Sequence, residues 1–508
     1  MVARTLRTAF AVPAALAFGL SPPCAVAAGA PQDAAPAWTP AKRTAAAAVD
    51  ARAQALTDAG RRIWEFAELA LKERRSSALL ADLLEAEGFR VERGASGMPT
   101  AFVASFGEGK PVVAYLAEFD ALPGLSQKVA AQAEALVAGG DGHGCGHNLF
   151  GIGSAGAGIA LKEAMAAHGL AGTVRVYGTP AEEHGIGKVF MVRDGLFDDV
   201  DACWSWHPGD ENEVSLQPSK ALRSFEVTFF GRSAHAAGAP WKGVSALDAV
   251  EAFATGVNLL REHMPETARV HYVVTGGGDA PNVVPARASV WVFTRGEDWP
   301  EEEQVFAHVE KIVQGADLMA WGEEHGDAGA GFRAAEIQMF TGLYHYNPND
   351  AAARALHANL ALVGPPAFSE EEHDFARRLQ QAFDLEPRGM HSEVTPFDPG
   401  AAPEPGGSTD VANISWVCPT IDLGLACWPR DVPAHSWAST AASGSDAAYR
   451  ATITAAKVLA AAGVDALSDP ELVRAMRAEF QEKARAFPYV SPVGPEAHPS
   501  LPSHLREN

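Results

Sequence analysis

The sequence predicts an α/β protein, in which a smaller α+β domain is inserted into an open α/β/α domain. Three apolar runs of strand length, 111–117, 173–177 and 202–206, are typical of strands buried on both faces of a sheet. Residues 218–345 instead contain stretches that alternate between apolar and polar positions, which indicates an antiparallel sheet with one solvated face. The two patterns together favour two domains.

The elements of the first domain begin with a helix at about 46–66. The first apolar strand follows, and then an Ala/Gly-rich helix at 148–167 that Gly169 is placed to terminate. Because ligands of open α/β sheets bind at the carboxyl ends of the strands, the residues that follow the strands are candidate site residues. These are Asp120 after the first strand, Glu182 and Glu183 after the second, and His207 after the third.

The inserted domain is predicted to contain a four-stranded antiparallel sheet and two helices. Strands are expected at 225–230, 270–275 and 289–294, and helices at about 245–263 and 301–313. The whole chain then divides into a signal peptide at 1–27, a linker at 28–43, the main domain at 44–217 plus 346–470, the inserted domain at 218–345 and a C-terminal tail at 471–508.

The charge of the chain excludes one class of function. Its 508 residues carry a formal net charge of −23. A protein that binds nucleic acid neutralises phosphates with lysine and arginine, and this charge balance does not supply them. We therefore expect no nucleic-acid partner.

The N-terminus is typical of an exported protein. Arg4 and Arg7 precede an apolar run at 8–20, and Ala25-Val26-Ala27 fits a cleavage site. No later apolar run is expected to span a bilayer. The sequence therefore predicts a soluble periplasmic or secreted protein.

The cysteine content predicts no disulfide scaffold. Of the five cysteines, cleavage would remove Cys24, and four are too few for a disulfide-rich fold. A single disulfide among Cys203, Cys418 and Cys427 remains open at this stage.

Residues 151–156 match the dinucleotide-binding pattern G-x-G-x-x-G, so an NAD-dependent oxidoreductase is the alternative from another class. That fingerprint directly follows an apolar strand in dinucleotide-binding folds. Here it follows a glycine-rich loop at 142–148. The small residues are better explained by close packing of one helix face.

A metal site is indicated by the run Gly142-His143-Gly144-Cys145-Gly146-His147-Asn148. It places a thiolate and an imidazole two residues apart, and both are favoured ligands of zinc and similar divalent ions. A Cys-x-His pair alone is equally compatible with a flexible loop. The carboxylates and imidazoles at Glu182, Glu183, His207 and His435 favour the metal interpretation.

With these motifs in place, residues from about 44 to 467 resemble the M20 metallopeptidase/amidohydrolase family, and most closely its aminobenzoyl-glutamate hydrolase-like branch. The resemblance implies an open α/β/α catalytic domain and an inserted dimerisation/lid domain. The runs that carry it lie at 143–148, 180–183, 206–208, 231–236, 280–285, 407–410 and 434–437.

The resemblance also implies two divalent metal ions per subunit, zinc or manganese. Paired ions can activate a water molecule and polarise a scissile carbonyl. Glu182 is the implied general base, which passes the proton of that water to the leaving nitrogen. The implied ligands are Cys145, which would bridge the ions, together with His147, Glu183, His207 and His435.

Two positions depart from the family pattern. Many members carry His-x-Asp after the first strand, with the histidine as a metal ligand, whereas this chain has Glu118-Phe119-Asp120. Cys145 is expected to compensate for the missing ligand, and Asp120 to orient a ligand histidine. Asn148 occupies a position where aminoacylase-like relatives often have aspartate, which favours the aminobenzoyl-glutamate-like branch.

The inserted domain contributes three candidate substrate-binding residues. The resemblance implies that His235 and Asn282 help to bind a substrate carboxylate or the developing oxyanion, often across a dimer. Arg295 is suited to pair with a carboxylate through two hydrogen bonds. We therefore expect a homodimer through the inserted domain, and a small-molecule amide or short peptide as substrate.

These features predict a metal-dependent amidohydrolase that cleaves the amide between an acyl or aroyl group and an amino acid, with aminobenzoyl-glutamate-like substrates favoured. The close alternative is an N-acyl amino acid hydrolase, or a carboxypeptidase or dipeptidase, of the same family. A catalytically dead metal-binding relative is the non-enzyme alternative, and the complete set of base and ligands argues against it.

Overall fold

The structure, a computed structural model, describes residues 37–321, 335–400 and 406–506. The predicted signal peptide and most of the predicted linker lie outside these ranges.

The first helix, α1 (Pro40–Phe66), begins inside the stretch predicted as linker. The Thr39 side chain accepts a hydrogen bond from the Lys42 amide at 3.2 Å, and proline is favoured at the first helical position. The Pro-rich composition therefore marks a helix start here.

The main domain is built on a seven-stranded sheet. Its strands are β1 (Arg90–Arg93), β2 (Phe102–Glu108), β3 (Val112–Ala117), β4 (Gly172–Gly178), β5 (Ala202–Gly209), β6 (Glu213–Val214) and β11 (Thr420–Ala426). They are ordered β1-β2-β4-β3-β5-β11-β6. The inner strands β4, β3, β5 and β11 pair in parallel, whereas β1 and β2 at one edge and β6 at the other pair antiparallel. The three strands predicted from apolar runs are thus neighbours in the parallel centre.

Helices surround this sheet. Besides α1, they are α2 (Arg74–Ala86), α3 (His147–His168), α4 (Gly187–Arg193), α7 (Asp350–Val363), α8 (Glu370–Ala382), α9 (Val411–Ser415), α10 (Trp437–Ser443), α11 (Asp446–Ser468) and α12 (Pro470–Ala486). The short helix α13 (Ser503–Arg506) lies against the inserted domain instead. The helices α1, α3 and α11 pack together, and α3 also lies against β3, β4 and β5.

The four cysteines of the described residues, Cys145, Cys203, Cys418 and Cys427, are buried free thiols.

The glycine pattern at 151–156 lies within α3, whose residues are buried there, and it follows no strand. A Cβ atom on Gly153 would lie 2.6 Å from Cζ2 of Trp206, and one on Gly156 would lie 2.9 Å from Cδ1 of Leu56. These glycines therefore permit close packing of α3, as the sequence predicted, and form no dinucleotide-binding turn.

We expect Gly153→Ala to lower the free energy of unfolding by about 1–3 kcal/mol, because the added methyl group overpacks the contact with the buried Trp206. Thermal or urea unfolding measures the change. Gly315→Ala is the matched control, since nothing lies within 4 Å of a Cβ at that position. That control is expected to stabilise the protein, because alanine is favoured over glycine in an exposed helix. Equal effects of the two substitutions would contradict the packing argument.

The inserted domain has the predicted architecture. Its four strands are β7 (Ala221–Phe230), β8 (Arg269–Gly276), β9 (Arg287–Gly296) and β10 (Glu336–Leu343), and its two helices are α5 (Ala246–Arg261) and α6 (Trp299–Trp321). The strands pair antiparallel in the order β10-β7-β9-β8. The helices pack on the sheet, and apolar residues of both form a separate core. Side chains alternate along β9, so Trp291, Phe293 and Arg295 share the face of the sheet that is opposite to the helices.

Residues 487–506, here called the terminal segment, contact both domains. On the main domain, Nη1 of Arg193 donates to the Ala497 carbonyl at 2.6 Å. On the inserted domain, the Ser503 hydroxyl donates to Oε1 of Glu226 at 2.8 Å. The predicted C-terminal tail at 471–508 thus contains most of α12 and this segment, which ends in the short helix α13.

One helix among the described residues, α11, is long and apolar enough to cross a membrane by length and composition alone. This finding differs from the expectation that no apolar run after the N-terminal one would span a bilayer. The criterion is weak evidence, because core helices of globular proteins also meet it, and 67% of the most apolar stretch of α11 is buried inside the protein.

Candidate active site

The site residues predicted in the main domain converge at the carboxyl edge of its sheet. This follows from the topology, because β3, β4 and β5 are adjacent and parallel. The side chains come from five places: Glu118 and Asp120 after β3, the turn Glu182–His184 after β4, His207 in β5, Cys145 and His147 at the start of α3, and His435 before α10.

Cys145 belongs to two groups of potential metal ligands. The His207 group consists of Cys145, His147 and His207, and the His435 group consists of Cys145, Glu183 and His435. Within each group, all ligand atoms lie within 4.8 Å of one another. The Cys145 Sγ is 3.5 Å from Nε2 of His207, and Nε2 of His435 is 3.6 Å from Oε2 of Glu183. A thiol common to both groups is the arrangement expected of a bridging ligand.

Asp120 holds two of these ligands in place. Its Oδ1 accepts a hydrogen bond from Nδ1 of His147 at 2.8 Å, and its Oδ2 accepts one from the Glu183 amide at 3.0 Å. Nε2 is then the nitrogen of His147 that remains for a metal ion. Asp120 therefore has a contact suited to orienting His147, and the role of His147 as a metal ligand stays a prediction.

The two outer histidines are oriented by their backbone surroundings. Nδ1 of His207 lies 2.7 Å from the Pro208 carbonyl, which can only accept, so Nδ1 carries the proton and Nε2 is free to bind metal. His435 has a positive φ of 58°, and its amide donates to the Gly144 carbonyl at 3.0 Å. A Cβ on Gly144 would lie 2.6 Å from Cδ1 of Leu125 and 3.3 Å from Cα of His435, so a larger residue would crowd this crossing.

The donor set fits divalent metal ions. Among the described side chains, His147 Nε2 and Glu183 Oε1 are buried atoms without a hydrogen-bond partner, which a cation would satisfy. Burial, ahead of the charge of His147, lowers the pKa of His207 to about 3, so that this imidazole remains a neutral ligand. The mixture of thiolate, imidazole and carboxylate donors is typical of zinc and related ions.

Burial raises the pKa values of Glu182, Glu183 and Cys145 in the site. Burial, ahead of the charge of Glu118, raises the pKa of Glu182 to about 7. Burial also raises the pKa of Glu183 to about 8, although the charge of His147 opposes the shift. Burial and then the charge of Glu183 raise the pKa of the Cys145 thiol. Metal binding to such groups releases protons, because the ligands bind in their ionised forms.

A cavity of about 670 Å³ opens beside these groups, and residues of both domains line it. The main domain contributes Cys145, Glu182 and His207, and the inserted domain contributes Phe293 and Arg295. This volume suits a small-molecule ligand. Among the described residues, none forms an ion pair with Arg295, and burial lowers the pKa of its guanidinium. The cavity therefore offers an uncompensated cation near the ligand groups.

His235 and Asn282 are not brought to this cavity. They lie on an exposed part of the inserted domain, where the Ala236 amide donates to the Asn282 carbonyl at 3.0 Å. Nδ1 of His235 accepts hydrogen bonds from the amides of Ala237 and Gly238, at 3.2 and 3.1 Å. Nε2 of His235 therefore carries the proton and is available as a donor. Of the three candidates in the inserted domain, the structure places Arg295 alone in the cavity.

A buried ion cluster beside the site was not predicted. Nζ of Lys188 lies 2.8 Å from Oε1 of Glu118 and 2.5 Å from Oδ1 of Asp410. A sequence signal for it exists, since Glu118 directly follows a wholly buried strand and its buried carboxylate requires a cation. The sequence alone does not show that Lys188, in the mostly apolar α4, is that cation.

The inserted domain matches a known domain model. Residues 219–318 fit the model described as the peptidase dimerisation domain. The open α/β sheet, the two ligand groups that share Cys145, and the adjacent Glu182 define a metal-dependent hydrolase of amide bonds.

Relatives identify its family. The chain is 36% identical over 484 residues to one of the subunits of the p-aminobenzoyl-glutamate hydrolase of Escherichia coli, with 89% of this chain and 97% of that protein covered. It is 30% identical over 454 residues to the Xaa-Arg dipeptidase of Mus musculus, with 87% of this chain and 92% of that protein covered. The chain belongs to the M20 family of metal-dependent amidohydrolases.

Solved structures share the fold. An aminobenzoyl-glutamate utilization protein from Klebsiella pneumoniae superposes with a TM-score of 0.54 at 21% identity, covering 81% of this chain and 96% of that chain. A dinuclear metal-binding M20 peptidase from Bacillus subtilis superposes with a TM-score of 0.51 at 20% identity, covering 82% of this chain and 99% of that chain. The predicted combination of catalytic and inserted domains is confirmed.

Proposed function

We propose that this enzyme hydrolyses the amide between an acyl or aroyl group and an amino acid, and that it favours aminobenzoyl-glutamate-like substrates. The observation that carries the proposal is the Arg295 guanidinium, which has no ion-pair partner among the described residues and lines the cavity beside the two ligand groups. A cation there suits a carboxylate of the substrate while its amide lies at the ligand groups. The similarity to p-aminobenzoyl-glutamate hydrolase supports the choice of substrate.

The residues have separate roles in this proposal. Two divalent ions, zinc or manganese, held by the His207 group and the His435 group, would activate water and polarise the scissile carbonyl. Glu182 lines the cavity but belongs to neither group, so its carboxylate is available as the general base. It takes a proton from the attacking water and delivers it to the leaving nitrogen. Asp120 keeps His147 and Glu183 oriented throughout.

A screen for released amine tests the proposal. Purified enzyme is incubated with p-aminobenzoyl-glutamate, with N-acetyl amino acids and with dipeptides that end in arginine. We expect the fastest release from p-aminobenzoyl-glutamate. The similarity to the Xaa-Arg dipeptidase favours the dipeptides as the second candidate, and preferential release of arginine would replace the first proposal with it. Metal-loaded enzyme that releases no amine from any of the three classes would contradict both.

We expect Arg295→Met to raise KM for p-aminobenzoyl-glutamate roughly 10- to 100-fold, because a charge-assisted hydrogen-bond pair to the substrate carboxylate is lost. Steady-state kinetics measure the change. The control substrate is the matching amide in which that carboxylate is replaced by a neutral carboxamide, and its KM is expected to change little. An equal rise in KM for both substrates would show that Arg295 does not recognise the carboxylate.

We also propose that the protein is a homodimer that pairs through the inserted domain. The strand β8 lies at the edge of its sheet, and its Val273 and Val274 are exposed, as is Leu259 on α5. An apolar edge strand has unpaired backbone groups that a second copy can complete. The match to a peptidase dimerisation domain supports this surface.

Export to the periplasm or the medium is a further proposal, which rests on the basic, apolar and small-residue pattern of residues 1–27. Expressed in its host, the protein is expected to begin at or near Ala28. Mass spectrometry of the intact protein from the separated cell fractions measures this. Soluble cytoplasmic protein that retains residues 1–27 would contradict export.

A further inference from the structure

The imidazole of His147 belongs to a third group of potential ligands. This carboxylate group consists of Glu118, His147 and Glu182, and its ligand atoms all lie within 4.8 Å of one another. Nδ1 of His147 is engaged by Asp120, so Nε2 serves both the carboxylate group and the His207 group. Oε2 of Glu118 lies 3.2 Å from that nitrogen and has no hydrogen-bond partner among the described residues. An ion at His147 therefore has two competing sets of partners.

Lys188 already occupies one side of the carboxylate group. Its ammonium lies 2.8 Å from Oε1 of Glu118 and 2.5 Å from Oδ1 of Asp410, and its backbone amide donates to Oδ2 of Asp410 at 3.0 Å. The three side chains are at most 1% exposed. A divalent ion placed against Glu118 would meet this ammonium in a buried environment, where water cannot screen the repulsion.

We propose that Lys188 decides which ligands hold the ion at His147: its ammonium closes the carboxylate group to divalent cations and directs the ion to the His207 group. This inference rests on the proposed metal-dependent function. Its consequence for the reaction is that Glu182 stays outside the metal shell and remains available as the base. Lys188 is thus a positioning residue, which acts through Glu118.

The two competing groups differ in the ions they prefer. The His207 group offers a thiolate and two imidazoles, which are the softer donors and favour zinc and cobalt. The carboxylate group offers two carboxylates and one imidazole, which favour harder ions such as manganese. The choice of group is therefore measurable as an ion preference, and through the absorption of cobalt bound to thiolate, without an activity assay.

The test removes the ammonium without leaving two unpaired buried carboxylates. The comparison is between wild type, Asp410→Asn, the double variant Lys188→Met/Asp410→Asn, and the triple variant that adds Glu118→Gln. Each full-length protein is stripped of metal, checked for folding by circular dichroism, and titrated with Co²⁺, Zn²⁺ and Mn²⁺. Thiolate-to-cobalt absorption per bound ion and the ratio of zinc to manganese affinity are measured.

We expect Asp410→Asn to match wild type. In the double variant, the preference for zinc over manganese is expected to fall roughly 10- to 100-fold, the usual effect of losing a residue that supports metal ligands. Its thiolate-to-cobalt absorption per bound ion is expected to fall too, because one of two ions leaves Cys145. The triple variant is expected to recover both properties, since its third group lacks the Glu118 carboxylate.

A folded double variant with wild-type ion preference and absorption would overturn the role of Lys188, as would a triple variant that does not recover. Glu118→Gln alone keeps the argument testable if the double variant does not fold. The Glu118→Gln variant is expected to leave the ion preference unchanged, because Lys188 already closes the carboxylate group to divalent ions. A changed ion preference would show that Glu118 is a metal ligand, and the inference would then be wrong. Absence of thiolate-to-cobalt absorption in wild type would contradict the proposed metal centre itself.

Discussion

Replacing Glu182 by glutamine is expected to lower turnover at least about a hundredfold while the bound metal is retained. Glutamine keeps the size and polarity of the side chain but cannot accept the proton of the attacking water. Glu182 lines the cavity and belongs to neither of the two groups that share Cys145, so metal binding does not depend on it. Turnover of p-aminobenzoyl-glutamate and elemental analysis of the purified variant measure the two quantities.

The matched controls are Glu183→Gln and Cys145→Ala, which remove members of the ligand groups. Both variants are expected to lose metal as well as activity. Cys145→Ala is expected to lose more metal than Glu183→Gln, because Cys145 belongs to both groups. A Glu182→Gln protein that is active would show that another residue is the base. One that has lost metal would place Glu182 in the metal shell.

His235→Ala is expected to fold and bind metal but to lose about a hundred- to a thousandfold in turnover, the usual cost of losing one donor to a developing oxyanion. His235 is remote from the cavity of its own chain, and its Nε2 carries a proton that it can donate. We expect this donor to act in the site of the second protomer. Turnover of the purified variant is the first measurement.

Mixing His235→Ala with Glu182→Gln tests action across the dimer. In a mixed dimer, one site combines an intact Glu182 with an intact His235 from the opposite chain. After complete subunit exchange at equal concentrations, roughly a quarter of all sites are expected to be active. No recovery of activity after confirmed exchange would show that His235 does not act across the interface. A protein that is monomeric at the assay concentration would also contradict action of His235 across the interface.

The parts of the site that follow from sheet topology could be predicted from the sequence. Apolar runs identify parallel strands, and their carboxyl ends meet at one edge, so Asp120, Glu183 and His207 were expected close together. Their proximity to Cys145 and His435 rested on the family resemblance. The periodicity of the inserted domain likewise predicted its sheet and helices.

Features that depend on one long-range contact could not be predicted. Lys188 sits in a short helix whose other side chains are mostly apolar, and no sequence pattern shows that its ammonium is buried against Glu118. The start of α1 was missed because Thr39-Pro40 has the composition of a linker as well as the capping chemistry of a helix. The exposed position of His235 could not be predicted either, because its motif does not show whether the residue lies at the cavity of its own chain.

The terminal segment has a mechanical consequence. The cavity lies between two domains, and such domains commonly open and close by rotating about a hinge. Here the terminal segment is hydrogen-bonded to Arg193 of the main domain and to Glu226 of the inserted domain, so it bridges the two domains. Each hydrogen bond along it contributes about 0.5–1.5 kcal/mol against opening. A rotation that separated the two domains would have to break these hydrogen bonds, so the terminal segment opposes such opening.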